Sequence, residues 1–331
     1  MPMIDLNNED EVKKYDSFVK TQDNANYMQT IAYNSILDAN PVTVYTEING
    51  NIVSGLTVIL KKAFGKYNYA VSFGGPVCDI YDTNLIDMLL KELEQYFKQN
   101  NVIFIKFNID SIYTEKLEQL YKNQKYKVLR KNTIKYKLEK PLERLLIDLT
   151  SKDYDEALEE LSDKVKSNID NAIRKKMLVK VSSTKRELNI FLDNYRSEKV
   201  VNISEIKDME NMKKLYGVMP DECFNIYSVS DEDENKLSQA LTVTYGSKCY
   251  IKYEINSDSQ DTVKARTLIY SQIIKDCINQ NVKTLDIGYY DKSNDAEYLF
   301  KRGFIQNIYT ETLGDVYKVY KPVVTRICKI K

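Results

Sequence analysis

The 331-residue chain has no histidine and no tryptophan, and it carries only ten glycines, six prolines and five cysteines. The missing imidazole excludes serine, cysteine and metal chemistry that relies on it as base or ligand. Any catalysis must therefore use Lys, Arg, Asp, Glu, Tyr or the backbone. Cys78, Cys223, Cys249, Cys277 and Cys328 are scattered, odd in number and free of any CxxC pair, which argues against a disulfide framework and against a zinc site, so no metal is expected. No apolar run approaches the roughly 18 residues of a membrane span, and the acidic, polar start Met1–Asp10 lacks the parts of a signal peptide; the expected location is the cytoplasm. An excess of charge is missing as well. Lys plus Arg and Asp plus Glu are 48 each, so a phosphate-rich partner would have to be met by a local patch.

What is present reads as a globular chain long enough for two domains, with 43% hydrophobic and 29% charged residues. Val42–Ile48 and Ile52–Leu60 are β-branched runs around Asn49-Gly50, a strong hairpin signal. A strand at Tyr67–Phe73, the break Gly74-Gly75-Pro76, an amphipathic helix carrying Leu85, Leu89, Leu93, Tyr96 and Phe97, and a strand at Val102–Phe107 follow. The same order returns at Phe224–Val229, Leu237–Tyr245, Lys248–Ile255, Thr267–Ile278 and Val282–Gly288. Residues repeat too: Ile52–Val58 aligns with Leu237–Val243, and Gln99–Val102 with Gln280–Val282. A duplicated βββαβ unit predicts an α/β (α+β) fold with two mixed sheets flanked by helices, the units spanning about 1–145 and 146–331 with a boundary between Lys137 and Thr150 near Pro141. Tyr154–Met177 reads as one long charged amphipathic helix.

Several segments together resemble the Fem family of peptidyl-bridge aminoacyltransferases, whose halves are similar to the acetyltransferase fold. Gly74-Gly75-Pro76-Val77-Cys78-Asp79 resembles a Gly-Pro-Val-x-Asp turn. Lys164-Val165-Lys166-Ser167-Asn168-Ile169 with Ala172 resembles that family's inter-domain helix. Leu285-Asp286-Ile287-Gly288 and Phe300-Lys301-Arg302-Gly303-Phe304 resemble its later strand and helix motifs. The likeness runs from about Gln29 to Tyr320, with Tyr33, Lys166 and Tyr289 standing where the family has Trp, Arg and a second Gly.

The resemblance implies tandem acetyltransferase-like domains that move an amino acid from aminoacyl-tRNA to an amine of a nucleotide- or lipid-linked peptidoglycan precursor, with a peripheral contact to the inner membrane face. It implies Lys301 as the cation at the oxyanion, Phe300 as a wall of the pocket beside it, and Asp79 as a contact for the incoming amine. Lys164, Lys166 and Arg174 would meet phosphate or carboxylate groups of the acceptor. The residues alone fit blander roles. Lys301 suits a solvated helix lysine that Gly303 ends with a left-handed cap, Asp79 a helix cap, and Lys166, Asp170 and Arg174 an i,i+4 ladder.

An acyl-CoA donor needs backbone N–H groups in a glycine-rich loop before a helix, and Asn256–Lys264 has no glycine; no cofactor is expected, and acyl-CoA is the lesser expectation. Two alternatives stay open: an acyl-CoA-dependent N-acyltransferase acting on a nucleotide sugar or small amine, and a non-catalytic binding protein that keeps the fold.

Overall fold

The computed structural model describes residues 3–37, 40–112, 114–129, 143–199, 201–290, 295–305 and 312–327. The chain folds into two compact units, Met1–Pro141 with Glu311–Lys331, and Leu142–Thr310. No helix among the described residues is long and apolar enough to cross a membrane.

In the first unit α1 (Glu9–Thr21) starts on Asn8, whose side chain accepts the N–H groups of Asp10 and Glu11, and the short α2 spans Ile31–Ser35. The strands are β1 (Asn40–Ile48), β2 (Asn51–Phe64), β3 (Tyr67–Phe73), β4 (Val102–Ile112) and β5 (Lys127–Leu129), with α3 (Thr83–Gln99) and α4 (Glu115–Asn123) between them. Asn49 and Gly50 both take positive φ, 53° and 79°, and close β1 on β2 with a two-residue turn. Between β3 and β4, α3 provides the crossover that parallel strands require. It buries Ile86, Leu89, Leu90, Leu93 and Phe97 against the sheet.

The second unit contains β6 (Glu143–Asp148), α5 (Tyr154–Glu159), α6 (Asp163–Arg174), β7 (Val179–Ser182), α7 (Lys185–Glu198), α8 (Ile203–Leu215), β8 (Phe224–Ser230), β9 (Lys236–Tyr245), β10 (Lys248–Asn256), α9 (Thr262–Asn279), β11 (Thr284–Tyr290) and α10 (Asp295–Arg302). The chain ends with β12 (Thr312–Val319) and α11 (Pro322–Ile327). The sheet orders are β1-β2-β3-β4-β12-β5 and β6-β11-β10-β9-β8-β7. Each sheet holds one parallel pair, β3/β4 and β10/β11, among antiparallel neighbours. In the second unit α9 crosses between the parallel strands and buries Ala265, Ile269, Tyr270, Ile273, Ile274 and Cys277.

The structure departs from the sequence reading at two places. The second half does not extend to residue 331, because β12 pairs with β4 and β5 and completes the first sheet. The corresponding position beside β11 is taken by β6, so each parallel pair is flanked by an antiparallel strand drawn from the far end of the chain's path. Lys137 and Pro141, where the boundary was expected, lie outside the described residues. The single helix expected at Tyr154–Met177 is two helices. Asp153 caps α5 with a reciprocal Glu156 bond, and Ser162 starts α6 afresh, its side chain accepting the Val165 N–H while its own N–H donates to the Gly303 carbonyl at 2.9 Å. Cys78, Cys223, Cys249 and Cys277 are buried free thiols, and Cys328 lies outside the described residues.

Candidate active site

The parallel pair of the second sheet shares only three rungs, Lys248↔Thr284, Cys249↔Leu285 and Tyr250↔Asp286. Beyond them β10 shifts register against β9 between Ile251 and Tyr253, and β11 shifts against β6 between Asp286 and Tyr289. Irregularities of this kind bend a strand and raise its twist. Both strands continue, and a crevice of about 370 Å³ lies where they are no longer paired. Ile251, Glu254, Arg266, Gly288, Glu297 and Lys301 line it, with Tyr195, Lys199, Lys252, Tyr253 and Asn256 also on its walls.

Gly288 bends the wall with φ +80°, and its N–H donates to Asp286 Oδ1 at 2.9 Å. That backbone donor is therefore already committed. A Cβ at Gly288 would stand 3.7 Å from Lys301 Nζ, which places the ammonium against the bend. Lys301 is 5% exposed, so the solvated-lysine reading does not hold. It pairs with Glu297 one turn earlier at 3.2 Å. Gly303 has no positive φ, contrary to the expected left-handed cap. Its lack of a side chain serves close packing instead: a Cβ there would lie 2.6 Å from Val165 Cγ2, so glycine lets the end of α10 rest on α6.

Arg266, 9% exposed on α9, fixes the floor of this arrangement. Its Nε and Nη2 donate to Glu254 Oε1 and Oε2 at 2.8 and 2.7 Å, and its Nη1 and Nη2 donate to Glu297 Oε2 and Oε1 at 2.7 and 2.8 Å. Tyr270 donates to Glu254 Oε2 at 3.0 Å. Burial alone would raise the Glu297 carboxyl, but Arg266 and then Lys301 bring it down to about 2. Burial opposes the Arg266 charge, and Glu254 above all outweighs it, so the guanidinium stays protonated. Burial, with Glu254 next to it, pushes the Tyr270 hydroxyl far above its ordinary range.

Phe300 was expected as a wall beside Lys301 and is not one of the lining residues. It lies under the Arg266 guanidinium, 3.9 Å from ring centroid to Cζ, and packs on Tyr270 and Phe304. Lys164 and Arg174 are exposed on α6, whereas Lys166 is half-buried and donates to the Glu159 carbonyl at 2.8 Å, closing α5 rather than forming a ladder with Asp170. None of the three lines the crevice. Asp79 is exposed in the first unit, where its Oδ1 accepts the Tyr81 N–H at 2.9 Å; Asp82, not Asp79, caps α3. Sequence reasoning missed Arg266, Glu254 and Glu297. The available signal was an arginine on the apolar face of α9 between Ala265 and Ile269, since such a charge needs buried partners.

The loop from β10 into α9 uses its own donors. The Ser257 N–H goes to Leu237 O at 3.0 Å, the Ser259 N–H to Ser257 Oγ at 3.5 Å, the Asp261 N–H to Ser259 Oγ at 3.3 Å, and the Thr262 N–H to Ser259 O at 3.2 Å. Asp261 puts a carboxylate at the start of α9, held by Lys175 at 2.5 Å and Lys264 at 2.7 Å, whose hydrogen bonds depress its pKa.

Two sheets with a parallel pair each, one of them open around a buried cation, define a tandem acyltransferase-type fold. Solved structures agree: FemX superposes with a TM-score of 0.78 at 14% identity over 99% of both chains, and a tandem GNAT protein from the clavulanic acid biosynthesis pathway with 0.54 at 6% identity over 96% of this chain and 98% of that one. The FemAB family model matches residues 11–199, and the chain belongs to the FemAB family. A UDP-N-acetylmuramoylpentapeptide-lysine N(6)-alanyltransferase of Weissella viridescens is 22% identical to it over 98% of each chain.

Proposed function

We propose that the chain is a peptidoglycan cross-bridge aminoacyltransferase, moving an amino acid from the ester of aminoacyl-tRNA to a side-chain amine of a muramoyl-pentapeptide precursor. The observation that carries this reading is the buried Lys301 ammonium beside Gly288 in the opening between β10 and β11 of a FemAB chain. The attacking amine forms a C–N bond at the ester carbonyl, the carbonyl oxygen takes up negative charge, and the C–O bond to the ribose then breaks as the ribose oxygen leaves with a proton. The ester is already activated, so the protein has to place the two reactants and meet the oxyanion. With the Gly288 N–H committed to Asp286, the cation is the group suited to that charge.

The β10–α9 loop supports a donor other than acyl-CoA. Its N–H groups are satisfied within the protein, and Asp261 sets a negative charge where a pyrophosphate would need a positive dipole. Exposed Lys164 and Arg174 remain the candidates of the basic helix for acceptor phosphates, and Asp79 for the incoming amine. A cytoplasmic location and a peripheral contact with the inner membrane face follow from these substrates as part of the same proposal.

The test is incubation of the purified chain with alanyl-tRNA and UDP-linked muramoyl pentapeptide, with mass spectrometry of the product. A mass gain of one aminoacyl residue on the pentapeptide lysine supports the reading. An unmodified pentapeptide together with acylation from acetyl-CoA would replace it with the CoA-dependent one.

A further inference from the structure

The contact between Lys301 and Glu297 poses a chemical difficulty, because a carboxylate that fully neutralised the lysine would cancel the charge the oxyanion needs. The geometry shows what prevents this. Both Glu297 oxygens are taken by one edge of the Arg266 guanidinium at 2.7 and 2.8 Å, while the contact to Lys301 is the longer one at 3.2 Å. The other edge of the same guanidinium is anchored on Glu254, which Tyr270 holds in turn, and Phe300 supports the guanidinium face. Only a planar fork can grip two carboxylates on two edges at once; a lysine at this position has one nitrogen. Glu254 stands on β10, Arg266 on α9 and Glu297 on α10, so the fork also ties together the three elements around the ammonium.

We infer that Arg266 is a positioning residue for aminoacyl transfer: it draws the Glu297 carboxylate away from Lys301, so that the lysine stays in place with its charge available to the oxyanion. Glu254, Glu297, Arg266 and Lys301 together are charge-neutral in the resting site, and Arg266 divides that balance so that Glu297 is shared rather than given to Lys301. This inference rests on the reading of Lys301 as the oxyanion cation, and the experiment separates the two.

Steady-state kcat and KM are measured with alanyl-tRNA and UDP-linked muramoyl pentapeptide for the wild type, Arg266→Met, Arg266→Met/Glu297→Gln and Lys301→Met, each normalised to the folded fraction. Arg266→Met should lower kcat by roughly 10- to 100-fold with a much smaller change in KM, since the lost interaction acts in the transition state. Adding Glu297→Gln should recover at least about tenfold of that kcat, because the carboxylate that captures Lys301 is gone. A purely structural arginine would give no such recovery. Where Arg266→Met does not fold, Arg266→Lys and Arg266→Lys/Glu297→Gln carry the same comparison. An impaired Lys301→Met with no recovery in either double variant overturns the role of Arg266 alone. A Lys301→Met with near wild-type kcat overturns the oxyanion reading and this inference with it.

Discussion

The two parallel strand pairs begin from the same βαβ plan and end differently. In the first sheet β3 stays paired with β4 from Asn68↔Val102 to Phe73↔Asn108, and the Gly74 N–H extends the contact to Asn108 O at 3.0 Å. The turn that follows is filled by side chains of the same unit: a Cβ on Gly74 would fall 2.1 Å from Asn26 Nδ2, and one on Gly75 2.5 Å from Gln29 Oε1. Gln29 is fully buried and bonds Ser72 Oγ at 2.9 Å, Phe73 O at 2.6 Å and Thr57 N at 2.9 Å. In the second sheet the ladder stops after three rungs, and a lysine stands in the opening. Duplication supplied two frames, and local irregularity decided which one holds a crevice. Closing a parallel pair takes a continuous ladder and a polar plug, whereas opening one takes two register shifts and a glycine that can turn to φ +80°.

The largest way to break this contrast is to close the open pair. Gly288→Val adds methyl groups toward Lys301 and forces a β-branched residue into a left-handed conformation, so turnover should fall roughly 100-fold, with a loss of stability of about 2 kcal/mol or more. Transfer assays alongside urea midpoints would show it. Next is the plug of the closed pair. Gln29→Ala strands buried partners and should cost about 2 to 4 kcal/mol in unfolding free energy while leaving turnover per folded molecule close to wild type. A comparable loss of turnover would show that the first unit's turn also takes part in chemistry.

A smaller effect appears with acid. The Glu297 carboxyl has a folded pKa of about 2, below the ordinary carboxylate value, so its stabilisation is complete above roughly pH 4.5 and is lost as pH falls toward 2. Its side chain is 28% exposed, and the contribution is on the order of 2 kcal/mol once solvent screening is allowed for. Unfolding free energy against pH should therefore drop more steeply between 4.5 and 2 in the wild type than in Glu297→Gln. The smallest effects belong to the exposed face of α6, where Lys164→Ala and Arg174→Ala should change stability by less than about 0.5 kcal/mol. A raised KM for the pentapeptide in either variant would support their proposed contact with acceptor phosphates.

Much of the frame was legible in the sequence. Asn49-Gly50 marked its hairpin, and the run Ile52–Val58 reappeared as Leu237–Val243 in strands that occupy equivalent places in their sheets. The return of β12 to the first sheet was not legible, because strand pairing depends on which edge is vacant in space and an alternating run such as Thr312–Val319 fits many edges. Lys301 was found through a family resemblance, since the residues around it read as an ordinary helix surface. The Arg266 cluster was missed because Glu254, Arg266 and Glu297 meet only once a strand and two helices are packed together. Ser162, by contrast, carried a readable cap signal that the charged pattern of Tyr154–Met177 obscured.

The most direct test of the account is single-turnover aminoacyl transfer by Lys301→Met, compared with the wild type under identical saturation by alanyl-tRNA and UDP-linked muramoyl pentapeptide, with unfolding midpoints as the control for folding. Removing the ammonium from the opening between β10 and β11 should slow transfer by roughly 100-fold or more in a protein that still folds. Transfer at close to the wild-type rate would contradict the assignment of the chemistry to this crevice.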